Sequence, residues 1–361
     1  MLRFENVTKH HAGKSAPAVS GLNLLVEEGE LCVFVGPSGC GKSTILRMIN
    51  RLDTLDSGRI SINGVDTQET DIVTLRRHVG FMMQKAALFP HKTVEENISA
   101  VPRLLKWDKR RIAARVAELM TLVDLPTELL TRYPNQLSGG QQSRVALARA
   151  LASDPPIILM DEPFGALDPL TRERLQDEFI SLHKRLRKTI ILVTHDMEEA
   201  IKLGQRIAVF EDQGKLVQFD SPENILARPE NGFVRQFVGN DPSLRRLALM
   251  KVSELNTLED IQGMEIASLA NSNLYGHGET AFKLVINNNR EPVRWISETE
   301  ATPPKLTLVC GTNSLQTALL EILNSPSGVA VQVDDHGRFK RCISMAELHA
   351  ALQQNRKDCA Q

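Results

Sequence analysis

Nine consecutive residues, Gly36-Pro37-Ser38-Gly39-Cys40-Gly41-Lys42-Ser43-Thr44, have the types and spacing to bind a chain of phosphates. Glycines let backbone N–H groups converge on an anion, because a Cβ would block the close approach and the unusual dihedrals. Lys42 is placed to pair with the outer phosphates, and the Ser43 hydroxyl to hold a Mg²⁺ ion. Further along, Asp161 and Glu162 are adjacent carboxylates that can divide labour. Asp161 suits the Mg²⁺ shell, while Glu162 can polarise the water that attacks a γ-phosphate. Taken alone, the same pair also fits an N-cap before a helix. His195 is a strand-end histidine with Asp196-Met197-Glu198-Glu199 behind it at capping-box spacing, and Gln84, at another strand end, can reach metal or water through its carbonyl. Ser138-Gly139-Gly140-Gln141 reads locally as a capping box, and a serine with two bare glycines at a helix start is also an anion site. It lies 95 residues beyond Ser43 and need not face the chain's own phosphate loop.

The elements that must position these groups are legible around them. Leu31 to Val35 is an apolar strand leading into the phosphate loop, and Ile45, Met48, Ile49 and Leu52 follow at i, i+3, i+4, i+7, so the loop opens a helix. That helix adds a partial positive charge at its start. Ile157 to Met160 and Thr189 to Val193 are apolar on both faces and separated by helical stretches, the mark of a parallel sheet covered on both sides. Asp161-Glu162 therefore sits at the carboxyl end of a buried strand, where open α/β sheets bind ligands. Leu2 to Val7 and Leu22 to Val26 alternate as edge strands, Asn63-Gly64 marks a tight hairpin, and Asp212-Gln213-Gly214 turns a second one. The period becomes helical from about 93 to 153, with Thr93 to Glu96 spaced as a capping box and Pro155-Pro156 after the end. One helix is expected near 221–239. Beyond Asp241, Asn271 to Asn273 and Asn287 to Arg290 read as turns and Thr302-Pro303-Pro304 as a linker; strands at 329–333 and 339–343 and a helix starting on Ser344 are readable.

A length of 361 residues implies two domains, here 1–240 and 241–361. A composition of 42% hydrophobic and 24% charged residues is that of an ordinary globular protein, and a net charge of −1 gives no electrostatic case for a nucleic-acid partner. No apolar run approaches the ~20 residues of a membrane span, and the start is no secretory signal, so a cytosolic location is expected, with any membrane link made through a partner. Five scattered cysteines without C-x-x-C spacing read as reduced thiols.

In this order the motifs resemble those of the ATP-binding subunits of ABC transporters, over residues 1 to about 240. The resemblance makes Gln84 the Q-loop, Leu137 to Gln141 the signature peptide, Ala166-Leu167-Asp168 the D-loop and His195 the switch histidine. It implies a P-loop α/β fold with a mostly parallel sheet, an antiparallel β subdomain and a helical subdomain. It also implies ATP and Mg²⁺ as cofactors, and a homodimer that sandwiches two ATP molecules between the phosphate loop of one copy and Ser138-Gly139-Gly140 of the other. Glu162, His195 and Gln84 would then be the catalytic residues, Ser43, Gln84 and Asp161 the metal ligands, and Asp168 a nucleotide-side contact. Integral membrane permease subunits and an extracytoplasmic substrate-binding protein are the implied partners, placing the chain on the cytoplasmic face of the membrane.

Met48 to Leu52, Leu88-Phe89-Pro90-His91 and Gly232 to Gly239 are similar to the osmoprotectant branch, whose cargo is glycine betaine, choline or carnitine. Importers of sugars, polyamines or amino acids remain the alternative; a soluble ABC ATPase would call for two cassettes or a coiled-coil insertion. Where relatives place an aromatic residue on adenine, this chain has His11 or His10. Residues 329–352 resemble the second half of a CBS module, with Arg341 at a usual glycine and Glu347 at a ribose-binding aspartate. That pattern implies a small α+β regulatory domain that has lost nucleotide binding.

Overall fold

The structure is a computed structural model and describes residues 1–13, 15–83, 87–165, 167–239, 242–255, 267–269, 272–276, 282–287, 289–297, 306–325 and 328–358. Gln84, Ala166 and the 302–304 segment lie outside the described residues. Residues 1–225 with 229–237 form one compact unit, and residues 226–228 with 238–361 a second.

In the first unit, β1 (Leu2–Lys9) pairs antiparallel with β2 (Val19–Val26), and the fully buried β3 (Leu31–Val35) leads into α1 (Lys42–Ile49). β4 (Ser57–Ile62) pairs with the other side of β1 and turns through Asn63-Gly64, both at positive φ, into β5 (Val65–Asp66). This hairpin turn is the one its sequence predicts. After α2 (Ile72–Arg77) and β6 (Val79–Met82), the helical part comprises α3 (Val94–Ile98), α4 (Ala100–Leu104), α5 (Lys109–Leu122) and α6 (Gly139–Leu151). Thr93 and Glu96 cap α3 reciprocally, and the buried stripe Ile112, Val116, Leu119, Met120 holds α5 in place.

The chain then re-enters the sheet as β7 (Ile157–Asp161), crosses by α7 (Pro169–Leu186) to β8 (Thr189–Thr194), and by α8 (Met197–Leu203) to β9 (Arg206–Glu211) and β10 (Lys215–Asp220). The sheet order is β10-β9-β3-β8-β7-β6, parallel except for β10. β3 and β8 are buried along their whole length, as strands covered on both faces must be. The two sheets share one core, in which Phe34 packs edge-on to Phe210 at 5.2 Å and tilts against Phe4 at 6.5 Å. The single helix expected near 221–239 is two, α9 (Pro222–Ala227) and α10 (Gly232–Val238). Pro229 falls between them, and proline cannot continue a helix.

In the second unit, α11 (Pro242–Leu249) precedes a four-stranded antiparallel sheet, β11 (Ala267–Leu269), β12 (Ser272–Gly276), β13 (Phe282–Ile286) and β14 (Pro292–Ser297). Residues read from sequence as turns at 272–273 therefore begin a strand. Asn287 does make its turn, accepting from the backbone N–H groups of Asn289 and Glu291. β15 (Leu308–Cys310), α12 (Leu315–Asn324), β16 (Val329–Val333), β17 (Phe339–Ser344) and α13 (Met345–Asp358) complete the unit, β16 lying parallel to β15 and antiparallel to β17. α12 is pinned by Leu315, Ala318 and Ile322 against Ala330, Ile343 and Leu348.

Candidate active site

The phosphate loop leaves β3 and wraps the start of α1 under tight backbone constraints. Gly41, at the helix N-cap, has φ +115°, and a Cβ there would fall on the carbonyl oxygen of Ala18. A Cβ on Gly36 would fall on the carbonyl oxygen of Phe210. Loop and hairpin also bond directly, since the Gly214 N–H donates to the Cys40 carbonyl at 2.6 Å. The turn Asp212-Gln213-Gly214 thus braces a loop some 174 residues earlier. Its turn chemistry was visible in sequence, but its partner was not.

Lys42 is only 5% exposed, and its ammonium donates to the carbonyls of Gly36 and Pro37, both at 2.7 Å, holding the charge over the loop. Cys40 lies 3.6 Å from the same nitrogen, and burial pushes its thiol up in pKa despite the neighbouring cation. Ser43 donates to Asp161 Oδ1 at 2.9 Å, closing a 118-residue gap between α1 and the end of β7. Burial raises the Asp161 pKa against the pull of the Ser43 hydroxyl and Lys42. A hydroxyl beside a desolvated carboxylate is a hard oxygen donor set that suits Mg²⁺, which takes few protein ligands and completes its shell with phosphate and water. Among the described residues no cluster of three or more His, Cys, Asp or Glu forms a metal cage of its own.

Glu162 follows with φ +46°, a left-handed backbone that costs a non-glycine residue about 1–2 kcal/mol. Its N–H donates to the Val193 carbonyl at 2.9 Å, and this anchor holds the strained residue at the strand end. The side chain then meets His195, whose Nδ1 lies 2.8 Å from Glu162 Oε1. Asp196, behind His195, caps α8 by accepting from the N–H groups of Glu198 and Glu199.

Lys42, Ser43, Thr44, Ser38, Glu162 and His195 line one open cleft of about 570 Å³. His11 lines it too, with Nε2 3.3 Å from Thr44 Oγ1, whereas His10 bonds Asp56. Of His10 and His11, His11 is the one that lines this cleft. Pro37 contributes its carbonyl to Lys42, and Gly39 lies along the cleft.

Ser138, Gly140 and Gln141 do not join this cleft. Ser138 caps α6 in a reciprocal box with Gln141, and these residues line a separate cleft with Thr171 and Arg174. Asp168 caps α7 by accepting from the Thr171 N–H at 3.0 Å, a bond that holds its carboxyl below the usual range. Within one copy, the phosphate loop and the serine-glycine peptide thus line different clefts.

The profile of the ABC transporter family matches residues 19–165. The chain is 43% identical over 360 residues to the osmoprotectant import ATP-binding protein OsmV of Salmonella typhimurium, covering 95% of this chain and 94% of that one. It is 54% identical over 241 residues to the carnitine transport ATP-binding protein OpuCA of Listeria monocytogenes, a match over 67% of this chain and 60% of OpuCA. Among solved structures, the ATP-binding cassette MJ0796, described as a dimer in a post-hydrolysis state bound to ADP and Pi, superposes with a TM-score of 0.55 at 36% identity. That alignment covers 62% of this chain and 99% of the cassette. The chain belongs to the ABC transporter family, as one of its ATP-binding, ATP-hydrolysing subunits.

Proposed function

We propose that two copies of this chain bind two ATP molecules at their interface and drive an importer of quaternary-amine osmoprotectants. The observation that carries the dimer is the division of the site: Lys42, Ser43, Glu162 and His195 line one cleft while Ser138 and Gly140 line another. An anion-binding helix start unused by its own copy is available to the γ-phosphate held by a second copy.

In this reading Lys42 and the loop amides bind the β- and γ-phosphates, with Ser43 and Asp161 as the Mg²⁺ ligands. Held there, the ion would supply positive charge that offsets the charge of the phosphates. Glu162 takes the proton of the attacking water as its oxygen bonds to the γ-phosphorus and the bridging oxygen leaves with ADP. Its strained backbone and its bond to His195 fix the carboxylate for that step. Because Nδ1 of His195 is engaged by Glu162, Nε2 is left for the γ-phosphate. Gln84 and Asp168 belong to the same reading, as the metal-side and nucleotide-side contacts.

The names of OsmV and OpuCA support osmoprotectants as cargo, and with them integral permease subunits and an extracytoplasmic binding protein as partners. Among the described residues no helix is long and apolar enough to cross a membrane. Attachment through such subunits on the cytoplasmic face fits that observation. A competition panel of labelled glycine betaine, choline and carnitine uptake, in cells lacking other betaine importers, tests the cargo. Uptake that is lost with Lys42→Ala and competed by quaternary amines supports the reading; competition only by sugars or polyamines contradicts it.

For the second unit we propose a degenerate CBS-like regulatory domain. Arg341 donates to the buried Gln332 at 2.8 Å and pairs with Glu347, which also accepts from Ser344. Side chains engaged this way leave little for a ribose. Calorimetry of full-length Lys42→Ala with AMP should give no heat of binding, and a saturable isotherm would refute the proposal.

A further inference from the structure

Glu199 carries a buried carboxyl that the hydrolytic steps do not use. It is the third residue of α8, four positions beyond His195, and is 6% exposed. Gln176, equally buried two turns into α7, donates its Nε2–H to Glu199 Oε1 at 3.0 Å. The Thr194 side chain also hydrogen-bonds Glu199, while its Oγ1 accepts from the Asp196 N–H at 3.0 Å. One turn back on α7, Arg172 donates to the Leu167 carbonyl at 3.2 Å, next to Asp168, and its charge favours ionised Glu199. Gln176, Glu199 and Thr194 therefore form one buried chain that ends beside the exposed His195, with the Arg172 charge near it.

A carboxyl in so dry a place costs free energy that an apolar residue of the same size would not. Burial does push its pKa up, and the bonds from Thr194 and Gln176 pull it back. We infer that Glu199 is a positioning residue for hydrolysis: by tying α7 to the Thr194–His195 end of β8, it fixes His195 against Glu162 and makes that pose follow the helix capped by Asp168. This rests on the assignment of Glu162 and His195 to hydrolysis. Glu199 itself is not among the residues that line the cleft of Lys42, Ser43, Glu162 and His195.

The test is steady-state ATP hydrolysis by the full chain, normalised to folded protein. Glu199→Ala should lower kcat about tenfold while KM for ATP stays within twofold. Gln176→Met, which keeps the volume and loses the donor, should act in the same direction, and the double variant should be no worse than Glu199→Ala alone, as for two residues of one network. Glu199→Gln should recover activity to within threefold of the parent, since the amide oxygen still accepts from Gln176 and the Thr194 hydroxyl can turn to accept from the amide nitrogen. A parental kcat in folded Glu199→Ala, or a raised KM with kcat unchanged, would overturn the inference. If Glu199→Ala does not fold, the kcat and KM of Gln176→Met decide in the same way. Glu162→Gln is the reference. Should it keep parental turnover, the hydrolytic assignment itself fails; should it stop turnover while Glu199→Ala does not, only the positioning role falls.

Discussion

Single side chains set how this site meets its ligand. Lys42 spends its buried ammonium on two loop carbonyls, so it is already aimed when phosphate arrives. Lys42→Ala should abolish ATP binding in a fluorescent-nucleotide titration while far-UV circular dichroism stays unchanged. His11 borders the cleft with an imidazole, a smaller ring than a phenol, so His11→Tyr should tighten ATP binding through added stacking area. An equal or weaker affinity would remove His11 from the adenine side. Asp161 makes a pH statement. Its pKa lies above the usual carboxylate value because of burial, whereas Mg²⁺ needs the ionised form. Mg²⁺ affinity in the ATP complex should therefore fall as pH drops through that raised value, with protons released on binding; calorimetry in two buffers of different ionisation enthalpy reads both. For stability the sign is opposite. The folded state holds this proton more tightly than the unfolded chain, so Asp161 alone favours folding as pH falls.

At the scale of elements, the site is a set of strand ends and helix starts brought together at the carboxyl ends of the interior strands β3, β8 and β7. The loop leading into α3 shows how much one residue can hold. Asn97 on α3 is fully buried; it accepts from the Phe89 N–H and donates to the carbonyls of Phe89, Lys92 and Thr93. The Phe89 and Thr93 carbonyls also accept from the Lys92 and Asn97 N–H groups, so Asn97→Ala strands the Phe89 N–H and the Lys92 carbonyl, and at about 1–3 kcal/mol per orphaned group it should cost about 2 kcal/mol or more in urea unfolding. A loss below 1 kcal/mol would mean that water replaces the clamp. What could be read from sequence divides along the same line. β3, β7 and β8 declare themselves because burial on both faces makes each an unbroken apolar run, and Thr93, Ser138 and Asp168 cap within three residues of themselves. The β12 and β13 strands were missed because asparagines around them read as turns, although Phe282, Leu284 and Ile286 alternate as a strand should. The break between α9 and α10 is carried by Pro229, a local signal in the sequence. Ser43 with Asp161, Gly214 with Cys40, and Gln176 with Glu199 share no local signal, since each pair meets only when the sheet forms.

As a whole molecule, one copy carries a cleft holding the phosphate loop with Glu162 and His195, and a second cleft holding Ser138 and Gly140. The central claim is that catalysis needs the first cleft of one copy and the second cleft of another. It is tested most directly by the mass of full-length Glu162→Gln in solution, measured by light scattering after size exclusion with ATP and Mg²⁺. The 40.2 kDa chain should double in mass with one ATP per subunit, and remain single when Ser138→Arg is added. A single chain that saturates with ATP and stays at its own mass, or a Glu162→Gln protein that hydrolyses ATP at the parental rate, would contradict it.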